Sequence, residues 1–222
     1  MSNLKENIMN LDLKGAELVA VTKDVPIDLI LESIKNGITD IGENYIQEAE
    51  EKYKKIGRKV KWHFIGHLQR NKVKQAVQLF DVIQSVDSYR LAKKINKEAE
   101  RQEKIVKIMI QVNISGDKNG LEPENVIALY NALTGLRHLE VIGLMCLAEQ
   151  ENPRISFKKM KNLNSKLNLP CLSMGMSNDY SIALEEGSNM LRLGTAIYGY
   201  RNKGIIDEAV SEILNFFKNI FS

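Results

Sequence analysis

A lysine ending one apolar run, an arginine inside another and two short glycine-containing turns are the residues of this chain that could do chemistry together. Lys23 closes the stretch AVTK, and strand alternation puts it on one face with Val19 and Val21. Such an amine has two readings. It could lie at the surface, its stem along apolar neighbours and its charge in water. It could instead be partly desolvated in a pocket, a setting that makes a lysine amine a better nucleophile toward an aldehyde. Arg192, in MLRLGTAIYG, sits within a second buried run, where a charge is costly unless it meets an acceptor. Gly194, two residues on, and Thr195 offer backbone N–H groups and a hydroxyl. In SMGMSND, Gly175 permits close backbone approach and Ser177 supplies a hydroxyl just before a helix expected from about Asp179. Each feature alone is weak. Brought together, they would suit a ligand carrying both an aldehyde and a phosphate.

The elements that would have to bring them together form a repeated alternation. Glu17–Thr22, Thr39–Gly42, Val60–Gly66, Phe80–Val86, Val106–Ile114, Leu139–Leu147, Pro170–Met174 and Met190–Ile197 are short apolar runs, rich in Val, Ile and Leu. They read as buried parallel strands. Between them lie helical patterns: Pro26 to about Asn36 with Gly37 as a C-cap, Glu43–Ile56 ending at Gly57, and a charged helix from an N-cap at Ser88 through Arg101. Further patterns run from Pro123 to about Leu133, over Phe157–Leu167 and over Asp207–Phe217. Eight strand–helix units in 222 residues fit a single (β/α)₈ TIM barrel, an α/β fold occupying residues 1–222 as one domain. An open doubly wound sheet is the alternative, but no G-x-G-x-x-G turn follows the first strand. Leu4–Leu13 is expected to be a short extra helix closing the bottom. In a barrel the active groups project from the C-terminal strand ends, where the residues above fall. Closing strand eight onto strand one would set Lys23 beside Arg192, about 170 residues away.

Bulk composition narrows the classes. The chain is 44% hydrophobic and 27% charged, with a net charge of +3. Those figures suit a globular domain and do not point to nucleic acid or membrane as a partner. The basic clusters Lys54–Lys59 and Arg70–Lys74 read as solvated helix faces, with phosphate or partner steering as the sharper alternative. Cys146 and Cys171 match no metal-ligand or disulfide pattern and read as reduced thiols of a cytoplasmic protein. No stretch resembles a signal peptide or a membrane span.

Taken in order, AVTK, IGENYIQE, WHFIGHLQRNK, IQSVDS, IQVNISGDKNG, GLMC, LSMGMSND and MLRLGTAIYG resemble the pyridoxal phosphate (PLP) homeostasis proteins of the YggS/PROSC type, from about Leu18 to Arg201. That family is similar to the barrel domain of the fold type III enzymes alanine racemase and eukaryotic ornithine decarboxylase, without their second β-domain. The resemblance implies PLP as cofactor, held as an imine on Lys23, and Arg192 as partner of the pyridine nitrogen. It implies a phosphate cradle of Ser177, Gly194 and Thr195, with Met176 helping to hold the phosphate loop and Asn44 facing the ring. His63 matches the family but reads more simply as a satisfied interior histidine; His67 and Gln69 could rim the mouth and take no assigned role. The chain departs from many members in reading Thr22-Lys23-Asp24 for Ser-Lys-Thr, in a shorter N-terminal helix, and in a compact stretch between Met145 and Leu172.

The resemblance implies a carrier that stores, buffers or delivers PLP, possible recipients being apo PLP enzymes. An arginine donates to the ring nitrogen without protonating it, which leaves the ring a poorer electron sink. The two-domain enzymes also need an acid–base group on the second face, which a further domain or subunit supplies. Beyond Arg201 this chain has about 21 residues, which read as one amphipathic helix. The expectation is therefore no robust catalysis, no metal and a monomer. A weak PLP-dependent racemase or decarboxylase, and an aldolase using Lys23 on a phosphorylated sugar, are the alternatives.

Overall fold

The computed structural model describes residues 4–116 and 119–199; the expected helix Asp207–Phe217 lies outside them. Eight parallel strands close into a barrel in sequence order: β1 Glu17–Val21, β2 Asp40–Glu43, β3 Lys61–Phe64, β4 Val82–Val86, β5 Val106–Val112, β6 Leu139–Cys146, β7 Cys171–Ser173 and β8 Met190–Leu193. Closure comes from β1 pairing with β8, with Val19 opposite Arg192 and Ala20 opposite Leu193. The open doubly wound sheet is thereby excluded.

Helices wrap the outside, and their limits follow local chemistry. α2 (Ile27–Lys35) starts after Pro26 and stops before Gly37, whose φ of 99° few other residues adopt. α3 (Ile46–Ile56) ends at Gly57, and α5 (Tyr89–Arg101) starts at Ser88, whose hydroxyl accepts the Leu91 N–H at 3.4 Å. α5 buries Leu91, Ala92, Ile95 and Ala99, one stripe at helical spacing. α4 (Val73–Leu79), α6 (Val126–Leu133), α7 (Pro153–Leu167), α8 (Tyr180–Glu185) and α9 (Thr195–Tyr198) complete the ring. The large core lies between strands and helices. Inside the barrel, Val19, Val82, Met109, Ile142, Met145 and Met190 form a separate apolar cluster.

Several expected boundaries are corrected. Glu43 ends β2 rather than opening α3, because its side chain is fully buried among Thr22 and Lys52. The eighth strand stops at Leu193: Gly194 turns to φ −117°, ψ −70°, and Thr195–Tyr198 form one helical turn although the run stays apolar. α4 fills the segment between the third and fourth strands, and the basic residues Arg70, Lys72 and Lys74 are solvent-facing there or just before it. α7 begins at Pro153, four residues before the expected start at Phe157. The N-terminal helix α1 (Leu4–Met9) does not close the floor. It packs on the wall beside α2 and α9, with Asn7 Nδ2 donating to the Ile197 carbonyl at 3.0 Å, because Leu4 finds apolar cover there.

Candidate functional site

The C-terminal ends of the strands enclose a cavity of about 670 Å³, within the range of small-molecule sites. Lys23, Asn44, Met176, Ser177, Arg192, Gly194 and Thr195, the sequence-derived candidates, all line it. Val21 and Ile65 supply apolar wall.

Lys23 follows β1, half-buried, and among the described residues no hydrogen bond or ion pair engages its amine. Its backbone is held from behind. Lys52 of α3 is buried; its Nζ donates to the Thr22 carbonyl, to Glu43 Oε1 at 2.7 Å and to Glu48 Oε1 at 2.6 Å. The Thr22 hydroxyl donates to Glu43 Oε1 at 2.5 Å, and the Asp24 N–H donates to Glu48 Oε1 at 2.6 Å. Asp24 sits at φ 57°, which turns the chain away after the lysine. The two residues that depart from the family pattern are thus anchored on either side of Lys23. Burial pushes the Glu43 carboxyl above its ordinary range, outweighing the Lys52 charge and the hydrogen bonds from Lys52 and Thr22.

Asn44 is set by β2 and by a close backbone crossing. A Cβ on Gly66 would lie 2.2 Å from the Asn44 carbonyl oxygen, so glycine is what lets the ends of β2 and β3 meet. Opposite, two loops converge. Ser177 Oγ accepts the N–H groups of Gly194 at 3.3 Å and Ala196 at 3.0 Å, tying the loop after β7 to the start of α9. Gly175, at φ 99°, has its Cβ position 2.7 Å from Ala183 Cβ, and its carbonyl accepts the Arg192 N–H.

Arg192 is buried, as its place in β8 requires, and it finds acceptors. One guanidinium nitrogen donates to Ser173 Oγ and the other to the Cys146 carbonyl, both at 2.7 Å. A guanidinium has five N–H donors, so its edge keeps donors that these two acceptors do not use. Burial lowers the Arg192 pKa from its ordinary value, but the group stays a cation at neutral pH. Burial also pushes the Cys146 thiol up to about 12, which makes it inert as a nucleophile.

His63 is an interior histidine with both ring nitrogens satisfied, by Asp40 Oδ1 at 3.0 Å and Gln84 Nε2 at 2.9 Å. His67 and Gln69 line an adjoining cavity of about 440 Å³ that shares Asn44 with the main one. Sequence reasoning missed Asp179 as a wall of the main cavity, together with the Ala196 amide and Lys52. Asp179 is raised by burial against the hydrogen bond from the Met176 amide and the nearby Arg192 charge. The sequence marked it only as the approximate start of the helix expected there. Among the described residues no group of three or more potential ligands could hold a metal, and no helix is long and apolar enough to cross a membrane.

The geometry fits PLP by its donor set: a free amine, an amide cluster and a buried cation with unused N–H bonds around one cavity. A family model described as alanine racemase, N-terminal domain, matches residues 1–202. The chain is 37% identical over 212 residues to the pyridoxal phosphate homeostasis protein of Haemophilus influenzae, covering 87% of this chain and 88% of that one. It is 37% identical over 210 residues to the Homo sapiens protein of the same name, covering 83% and 76%. Among solved structures, PipY of Synechococcus elongatus PCC7942 with PLP bound matches at a TM-score of 0.83 and 31% identity, over 89% of this chain and all of that one. An alanine racemase of Clostridium difficile 630 matches at a TM-score of 0.75 over 92% of this chain and 58% of its own. At 15% identity that is a likeness of fold alone.

Proposed function

Since the chain belongs to the alanine racemase N-terminal domain family and, within it, to the pyridoxal phosphate homeostasis proteins, we propose that it binds pyridoxal 5′-phosphate and serves the handling of that cofactor. The observation that carries this reading is the unengaged Lys23 amine sharing one cavity with Arg192 and the Ser177–Gly194–Ala196 cluster. Bound, the cofactor supplies an aldehyde carbon that an amine can hold reversibly as an imine. Lys23 is the residue for that attachment. Ser177, Gly194 and Thr195 are suited to the phosphate, with Met176 beside them, Arg192 to the ring nitrogen and Asn44 to a ring substituent.

The role is homeostasis, by storage, buffering or delivery, rather than turnover. Among the described residues lining the cavity the ionisable side chains are Lys23, Asp179 and Arg192. Arg192 stays protonated, and Asp179 Oδ1 already accepts the Met176 N–H at 2.5 Å. No second base is poised opposite Lys23 among them. Apo PLP enzymes as recipients, a monomeric state, a cytoplasmic setting and one domain over residues 1–222 complete the proposal.

Absorption spectroscopy tests it. The protein loaded with PLP should show a visible band that borohydride abolishes and that Lys23→Ala lacks; a Lys23→Ala protein with an unchanged band would overturn the assignment. Deuterium exchange at the α-carbon of amino acids, at enzyme-like rates, would sink the carrier reading in favour of a racemase.

A further inference from the structure

Five buried or nearly buried side chains from five strands form a continuous hydrogen-bond chain across the barrel. Arg192 on β8 donates to Ser173 Oγ on β7 at 2.7 Å, and Ser173 Oγ meets Gln84 Oε1 on β4 at 2.7 Å. Gln84 Nε2 meets His63 Nδ1 on β3 at 2.9 Å, and His63 Nε2 meets Asp40 Oδ1 on β2 at 3.0 Å. Asp40 lies at the start of β2, the floor of the barrel, where Lys61 Nζ stands 3.8 Å away. Arg192 lies at the other end, beneath the mouth cavity.

The carboxylate end fixes the direction of every bond in the chain. Asp40 only accepts, so an imidazole with one proton carries it on Nε2 and leaves Nδ1 to accept. Gln84 must then turn its nitrogen to His63 and its oxygen to Ser173, whose hydroxyl donates to it while accepting from Arg192. With one proton on the imidazole, turning Gln84 over would set its oxygen against the bare Nδ1, two acceptors face to face. The second Nε2 hydrogen of Gln84 has the Met190 sulfur at 3.4 Å.

We propose that Asp40, His63, Gln84 and Ser173 are positioning residues for Arg192. Together they hold its guanidinium in the one orientation that presents the unused N–H edge to a ring nitrogen in the cavity. The chain runs from a buried cation across the barrel to Gln84 on β4 and back to a carboxylate on β2, two strands from β8, through polarised groups. The proposal rests on the PLP reading above, and its first readout does not depend on that reading.

In protein carrying ¹⁵N-histidine and no ligand, His63 should show a single neutral tautomer with the proton on Nε2. A proton on Nδ1 would overturn the chain whether or not PLP binds. In the loaded protein, Gln84→Glu keeps the acceptor for Ser173 and places a second carboxylate oxygen at His63 Nδ1. Gln84→Leu fills similar space and breaks the chain. Gln84→Glu should bind PLP within about twofold of wild type, while Gln84→Leu should bind about five- to tenfold more weakly with a displaced visible band. Were Gln84 only a packing residue, the order would invert, since a buried carboxylate is worse tolerated than leucine; that inverted order, or a Gln84→Leu protein equal to wild type, refutes the proposal. If neither variant folds, the tautomer of wild-type His63 decides.

Discussion

Lys23 owes its character to a second lysine that nothing in the sequence distinguishes. In EAEEKYKK, Lys52 reads like Lys54 and Lys55, one more charge on a helix face, yet it is buried while they are exposed. What sets it apart is the pairing of α3 against the end of β1, a tertiary fact. Removing it would leave Glu43 buried beside a carbonyl and a hydroxyl, with one carboxylate oxygen that already lacks a partner. Lys52→Met should therefore cost about 3 kcal/mol of stability, as breaking a buried pair by deleting one partner does. The loss should be smaller at about pH 5 than at about pH 8, because without the cation Glu43 can relieve its burial by keeping a proton. Urea unfolding at the two pH values measures it; a penalty independent of pH would show that Glu43 does not carry the cost. The arginine, by contrast, was legible. A charge in MLRL has to have acceptors, and the two it finds, Ser173 and the Cys146 carbonyl, come from β7 beside it and from β6 one strand beyond.

At the level of elements, the alternation of apolar runs with amphipathic stretches was enough to place strands, because buried parallel strands are nearly uniform in Val, Ile and Leu. It was not enough to end them. Apart from Arg192 and Thr195, MLRLGTAIYG is apolar, so only the backbone turn at Gly194 separates β8 from α9, and that turn is what aims the Gly194 and Ala196 amides at Ser177. The crossing of the loops after β2 and β3 was equally hidden, since Gly66 in WHFIGH could serve any turn. Its Cβ position, 2.2 Å from the Asn44 carbonyl oxygen, leaves room for nothing larger than hydrogen. Gly66→Ala should displace the Asn44 loop, costing about 2 kcal/mol by overpacking and weakening PLP binding at least about tenfold. Gly135, with nothing within 4 Å of its Cβ position, gives the control: Gly135→Ala should leave both unchanged. Thermal unfolding with a PLP titration on each variant checks the pair, and a Gly66→Ala protein indistinguishable from Gly135→Ala would mean that Asn44 is not positioned by this contact.

Across the whole molecule, the barrel could be expected from the count of units, but its interior could not. The chain from Arg192 to Asp40 joins residues 19, 89, 21 and 23 positions apart, a spacing that no local pattern encodes and that only closure of β8 on β1 assembles. It also gives the protein two buried carboxylates on one strand with opposite pH behaviour. Glu43 points outward to α3 and is raised by burial, so the folded state holds its proton more tightly than the unfolded chain. Its effect is a loss of stability as pH rises above 4.5 through the folded value. Asp40 points into the barrel; burial pushes it up, but hydrogen bonds from His63 and Thr39 and the Lys61 charge bring it below its ordinary value of 3.8. Its contribution is fully present above that value and is lost as pH falls through the lower folded one. Asp40→Asn should therefore be less stable than wild type near neutrality, and the gap should narrow as the pH drops below about 3.8, where the wild-type carboxylate takes up its proton. Denaturant melts between about pH 7 and about pH 2.5 trace that convergence. A gap that stayed constant would mean the floor carboxylate does not hold the His63 proton, and the fixed polarity of the chain up to Arg192 would lose its lower anchor.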